Sequence, residues 1–168
     1  MNNNSIKYNV AVVGATGQVG ETIFEILNER QFPIKNIFGL ASSKSLGKTI
    51  VCGDKIVKIS ELSKFDFNSV DIAFFSAGGD ISKKYVPKAA AANCVVIDNT
   101  SAFRYESNIP LVVPEVNSSD IKHFKKTNII ANPNCSTIQM VVALKPIHEM
   151  YGIKRVNVAT YQSVSGSG

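Results

Sequence analysis

The chain has no tryptophan, two histidines and three cysteines among its 168 residues. His123 and His148 are too few for a histidine-built metal centre. Cys52, Cys94 and Cys135 are odd in number, widely spaced and lack a Cys-x-x-Cys pair. That pattern argues against a disulfide framework and against a zinc site. No run of about 18 apolar residues occurs, so no membrane-spanning helix is expected. The opening residues MNNNS lack the charged and then apolar segments of a secretory signal, which makes the cytoplasm the expected setting. Lysine and arginine outnumber aspartate and glutamate 18 to 13, yet they are scattered, with short pairs at Lys83-Lys84 and Lys125-Lys126. Without a basic stripe or interleaved aromatics, nucleic-acid binding is not expected. The surplus suits small anionic ligands instead.

What is present is an alternation of apolar runs and helical patterns. The 168 residues are enough for one well-cored domain and part of another, and a hydrophobic content of 45% is ordinary for a globular protein. YNVAVVG, NIFGLAS, VDIAFFSAGG, CVVIDNTS and NIIANPN read as buried strands. KTIVCGDKIVKIS reads as strand, turn and strand around Gly53-Asp54. A helix follows the first strand, with Val19, Ile23, Ile26 and Leu27 on one face. DISKKYVPKAAAAN is a second helix, with Pro87 in its first turns or kinking it. A third spans about Thr137 to Tyr151, disturbed at Pro146. Continuous apolar strands alternating with helices imply an α/β fold, a doubly wound, mostly parallel sheet covered on both faces. KRVNVATYQSVSGSG alternates differently and is expected to open a new strand.

Gly14, Gly17 and Gly20 stand directly after the first strand and at the mouth of a helix. Glycines there allow a sharp turn and close approach to a pyrophosphate, which the helix N-terminus then receives. The spacing is Gly-x-x-Gly-x-x-Gly. The alternative is a tight turn with no ligand. At the end of the second strand, ASSKSLGK supplies Ser42, Ser43, Lys44, Ser45 and Lys48 and no acid. An acid would bond a ribose 2′-hydroxyl and repel a 2′-phosphate. Hydroxyls beside a cation favour NADP over NAD. Ser76, Ala77, Gly78 and Gly79 end another strand and leave room for a ligand at the sheet crevice.

Cysteine is among the most buried residue types, and Cys94, which begins CVVID, reads as core. Cys135 differs. It lies between a strand and a helix, where the dipole and free N–H groups favour a thiolate and can hold an oxyanion. Ser136 or Thr137 can cap that helix. A thiolate beside a nicotinamide suits an aldehyde oxidation through a hemithioacetal and a thioester. Arg104, in DNTSAFR, is a forked cation suited to a phosphate or carboxylate.

In this order and spacing, GATGQVG, ASSKSLGK, SAGG, DNTSAFR, NPNCST and TYQSVSGSG resemble the aspartate-semialdehyde dehydrogenases. NPNCST fits glyceraldehyde-3-phosphate dehydrogenase and N-acetyl-glutamyl-phosphate reductase less well. The resemblance implies a Rossmann-like domain over residues 1–135. Residues 136–168 would begin a truncated α+β catalytic and dimerisation domain, represented by its first strand. It implies that Thr16, Gly17, Gln18 and Val19 contact the NADP pyrophosphate and that Ser42, Lys44 and Ser45 hold the 2′-phosphate. Where Lys44 stands the family often has arginine, and a point charge discriminates less than a fork. The resemblance makes Cys135 the acyl-thioester nucleophile, with Asn134 at the oxyanion and Arg104 on the phosphate. Gln162 would orient the substrate, and Ser165 and Gly166 would approach the nicotinamide. The implied reaction is the NADPH-dependent conversion of L-aspartyl 4-phosphate to L-aspartate 4-semialdehyde and phosphate, serving lysine, threonine, methionine and diaminopimelate synthesis by homodimers or homotetramers. The family's general acid/base histidine and its substrate-carboxylate arginine belong to the half not seen here. The isolated 168 residues are therefore expected to bind nucleotide without turnover.

Overall fold

The computed structural model describes residues 6–161. In chain order the elements are β1 (Tyr8–Val13), α1 (Gln18–Glu29), β2 (Ile34–Ala41), β3 (Thr49–Cys52), β4 (Lys55–Glu61), β5 (Ile72–Phe75), α2 (Gly79–Ala91), β6 (Val95–Asp98), α3 (Pro114–Asn117), β7 (Ile129–Ala131) and α4 (Cys135–Tyr151). Val10 to Val13 of β1 are fully buried. Successive strand side chains point to opposite faces. Ala11 and Val13 accordingly enter one hydrophobic cluster and Val12 another. Two-sided burial explains the unbroken apolar run, and helices must then cover both faces.

The seven strands form one sheet in the order β3-β4-β2-β1-β5-β6-β7. All pairings are parallel except β3 with β4, a hairpin turning at Gly53-Asp54. From β1 the chain crosses through α1 to β2. From β5, on the other side of β1, it crosses through α2 to β6. Right-handed crossovers running in opposite directions put the two helices on opposite faces. Phe24 of α1 fills the cluster that contains Val12, while Tyr85, Val86 and Ala89 of α2 fill the one that contains Val13. Burying Phe24 alone contributes ~2 kcal/mol.

Three sequence expectations need correcting. The buried stripe of α1 is Gly20, Phe24 and Leu27, whereas Val19 and Ile26 are 47% and 43% exposed. The helix packs so tightly onto the preceding loop at Gly20 that this position faces the sheet, and Val19 is rotated outward. Of the two alternatives expected for Pro87, the first turns are excluded, since it lies deep inside α2. The helix tolerates it because Pro87 and Lys83 are both exposed, so the carbonyl that loses its partner can be hydrated. Residues 152–161 form no strand. No neighbouring strand offers them a ladder among the described residues, and an unpaired strand leaves its backbone groups unsatisfied. The rest of that expected strand lies outside the described residues. α4 is apolar on much of its surface, and none of its residues is buried. No helix among the described residues is long and apolar enough to cross a membrane.

Two of the three thiols belong to the core. Cys94 is fully buried, and burial first, with Asp71 nearby, pushes its thiol up to about 12. Cys52 is buried, its Sγ 3.5 Å from the Phe24 carbonyl, and burial raises it too. Cys135 is exposed. Iodoacetamide should therefore label Cys135 in the native chain and reach Cys52 and Cys94 only on unfolding, as peptide mass spectrometry would show. A second expectation concerns Gly20, where an added Cβ would lie 2.2 Å from the Gly14 carbonyl oxygen. Alanine gains about 1 kcal/mol over glycine in a free helix, but overpacking against backbone costs about 1–3 kcal/mol or more. Gly20→Ala should lower the urea midpoint, with a net loss of ~2 kcal/mol.

Candidate functional site

Because β1, β2, β4, β5, β6 and β7 run parallel, their carboxyl ends share one edge of the sheet. The crossovers diverge on either side of β1, and such a switch point opens a crevice at that edge. A cavity of about 430 Å³ lies there. Val13, Gly14 and Thr16 line it from β1, Ala41, Ser42, Ser43 and Ser45 from β2, Glu61, Leu62 and Ser63 from β4, and Ala77, Ile81 and Tyr85 from β5 and α2.

Gly14 takes a φ of +86°, and a Cβ on it would lie 2.9 Å from the Ser76 carbonyl carbon. It lets the loops after β1 and β5 touch. Gly17 caps α1 and donates its N–H to the Gly14 carbonyl at 3.0 Å. A Cβ on Gly17 would meet only that oxygen, at 3.4 Å, so the space beside it is open. The Glu21 N–H bonds the Gly17 carbonyl at 2.9 Å. The N–H groups of Gln18 and Val19 precede this bond and lack a helical acceptor. Open space, free N–H groups and a 12-residue helix dipole suit a pyrophosphate.

At the end of β2, Ser43 to Ser45 form a 3₁₀ turn. Ser42, Ser43 and Lys44 are exposed, whereas Ser45 is nearly buried and its hydroxyl lies 3.2 Å from that of Thr16. Ser45 thus ties the two loops together. Ser76 donates its hydroxyl to the Val13 carbonyl at 3.0 Å, and Gly78, with φ +93°, caps α2. Gly14, Thr16, Ser42, Ser45 and Ala77 therefore meet around one cavity, whereas Gly17, Gln18, Val19, Ser76 and Gly78 are not in its lining. Lys44 stands on its rim turn rather than in its lining.

The other half of the edge is built on Asp98. This carboxylate is fully buried at the end of β6. It accepts from the Ser82 hydroxyl at 2.7 Å, the Thr100 hydroxyl at 2.8 Å and the Thr100 N–H at 3.3 Å. Those bonds anchor the loop that carries Arg104. Arg104 donates Nε to the Asn132 carbonyl at 2.9 Å and Nη2 to the Asn99 carbonyl at 3.1 Å. The Asn132 amide also donates to the Asn99 side-chain oxygen. The loops after β6 and β7 are thereby clamped together, and the guanidinium keeps three of its five N–H groups for another acceptor.

Asn132 leads through Pro133 to Asn134 and Cys135. Asn134, not Ser136 or Thr137, caps α4, its Oδ1 accepting the Ser136 N–H at 3.0 Å. Asn134 has extended backbone angles and Cys135 is already the first helical residue, so a cap further along has no N–H to serve. Capping uses the amide oxygen of Asn134 and leaves its NH₂ end to donate. Cys135 is exposed, with Sγ 4.0 Å from Asn134 Oδ1. His148 accepts the Ile153 N–H on Nδ1 at 3.1 Å, and His123 sits exposed in a 3₁₀ helix before β7. Gln162, Ser165 and Gly166 lie outside the described residues. Sequence reading missed Asp98, Asn99, Asn132 and Glu61, because only the strand order shows that these residues share an edge.

Comparisons agree with this geometry. Residues 9–124 match the family described as semialdehyde dehydrogenase, NAD binding domain. Aspartate-semialdehyde dehydrogenase of Legionella pneumophila is 63% identical over 160 residues, covering 95% of this chain and 46% of that protein. Aspartate semialdehyde dehydrogenase II of Vibrio cholerae, solved as a complex with ASA, superposes with a TM-score of 0.93 at 59% identity, over 97% of this chain and 53% of that one. The Candida albicans enzyme, solved with NADP, gives a TM-score of 0.74 at 26% identity, over 88% of this chain and 48% of that one. The chain spans about half the length of the curated relatives it matches. With its matched segment covering most of β1 to β6 and the helices between them, the chain belongs to the semialdehyde dehydrogenase NAD-binding domain family.

Proposed function

We propose that the chain is the NADP-binding and thiol-bearing half of an aspartate-semialdehyde dehydrogenase. The observation that carries this reading is the placement of Cys135. It is exposed at the first position of a 17-residue helix, on the same sheet edge as the glycine loop, and its loop is clamped to Arg104. The relatives' names supply the substrate, and the Candida albicans complex supplies the cofactor. The donor set fits that cofactor: N–H groups of Gln18 and Val19 for the pyrophosphate, with Ser42, Ser43 and Lys44 at the adenosine end.

In the synthetic direction the Cys135 thiolate attacks the acyl carbon of L-aspartyl 4-phosphate. The C–O bond to phosphate breaks, and a thioester forms on Sγ. Arg104 takes the departing phosphate on its free N–H groups, while the Asn134 NH₂ and the first N–H groups of α4 stabilise the oxyanion. NADPH, when bound, supplies the hydride that brings this thioester to the aldehyde level. Collapse of the resulting hemithioacetal on Cys135 releases L-aspartate 4-semialdehyde and regenerates the thiolate. Residues 1–135 form the nucleotide domain, and residues 136–168 begin the catalytic and dimerisation unit.

The 168 residues alone bind dinucleotide without turnover in this reading. His148 lies 13 residues along α4 from Cys135, about 20 Å at helical rise, and His123 precedes β7. Neither can serve the thiol. Two measurements test the proposal. Titration calorimetry should show NADP binding to the chain. Gly17→Ala should weaken that binding about tenfold or more while lowering stability by no more than about 1 kcal/mol, since its Cβ meets only the Gly14 carbonyl oxygen, at 3.4 Å, and alanine is the poorer helix cap. In a chimera completed with the second half of the Legionella pneumophila relative, Cys135→Ser should reduce phosphate-dependent NADP reduction by aspartate semialdehyde on the order of 10³-fold or more. Undiminished turnover in that variant would sink the thioester route.

A further inference from the structure

The second strand ends without an acid, yet the cavity beyond it contains one. Glu61 is the last residue of β4 and pairs in parallel register with Ala41, the last residue of β2. Adjacent strands lie about 4.8 Å apart, so Glu61 starts one strand spacing from where doubly wound folds place a ribose-binding acid. Its side chain is only 19% exposed and lines the same cavity as Ser42 and Ser43. Both carboxylate oxygens are already engaged. Ser63 donates its hydroxyl to Oε1, and Lys64 Nζ lies 2.9 Å from Oε2. Those two bonds hold the carboxyl below its usual range. Each oxygen keeps a further lone pair for another donor.

Resting on the dinucleotide reading above, we propose that Glu61 sets the balance between a ribose 2′-hydroxyl and a 2′-phosphate at the adenosine end of this cavity, with Lys64 as its opposing charge. A 2′-hydroxyl can donate to the carboxylate, whereas a 2′-phosphate has only acceptor oxygens and a like charge. The serines around it carry no charge to offset that repulsion. Lys64 does, but its side chain is 79% exposed, so its charge is weakened by solvent and salt. Lys44 adds a second cation on the neighbouring turn. The preference between NAD and NADP is then a difference between one half-buried anion and two exposed cations.

The test is the ratio of NAD to NADP dissociation constants for the 168-residue chain, measured by calorimetry at low salt. Glu61→Gln should shift that ratio toward NADP by about fivefold or more. Lys64→Met should shift it in the opposite direction, and raised salt should compress the shifts. Lys64 is a surface residue, so its variant folds even where Glu61→Gln does not. Equal changes in both affinities, or a Lys64→Met shift toward NADP, would overturn the role of Glu61 while leaving the dinucleotide site standing. If the unsubstituted chain binds neither dinucleotide, both the proposal and the reading beneath it fail.

Discussion

Two strands can pair in parallel only if the chain crosses back from the carboxyl end of the first to the amino end of the second. That requirement organises the molecule. Each parallel strand must leave from the same edge, so the loops after β1, β2, β4, β5, β6 and β7 are neighbours whatever their separation in sequence. Gly14 and Ser76, Thr16 and Ser45, Arg104 and Asn132 meet for this reason. The crossovers can return only through helices packed on the faces, and the two-sided burial of β1 is the packing consequence. Loop chemistry and core therefore share one cause.

The edge is held in two ways. On the dinucleotide side, contact is made by omission: Gly14 and Gly20 approach backbone that a Cβ would strike. Such contacts add little attraction, but they let the end of α1 come close enough for its N–H groups to serve a ligand. On the thiol side, contact is made by hydrogen bonds, from the buried Asp98 through Thr100 and from Arg104 to two carbonyls. Buried and fully bonded, Asp98 fixes its loop where a flexible surface pair could not.

The alternation of buried strands and helices was legible in the chain because period and composition are local properties. So was the glycine loop, whose flanking strand and helix are adjacent in sequence. The core status of Cys94 and the strand-to-helix placement of Cys135 followed from their neighbours, CVVID in one case and NPNCST in the other. What stayed hidden depended on pairing or rotation. The stripe of α1 reads equally well through Val19 or through Gly20, and a contact 2.2 Å from a carbonyl decides it. Glu61 belongs to a strand-turn-strand segment, and nothing local tells that β4 returns beside β2 in parallel. Asn99 and Asn132 are 33 residues apart, and their amides meet only because β6 and β7 are neighbours.

Arg104 shows why neutral partners matter at this edge. A carboxylate partner would fix the guanidinium but also neutralise it, leaving little attraction for an anion. Here the fixing acceptors are the carbonyls of Asn99 and Asn132, and among the described residues no ion pair includes Arg104. Its charge is held in place yet uncompensated. Cys135 follows the same logic, since its helix is capped by an amide oxygen rather than by an acid. A carboxylate at that cap would bond the same N–H while opposing a thiolate one residue away. At Arg104 and Cys135 themselves, position is supplied by dipoles, and formal charge is kept for the ligand.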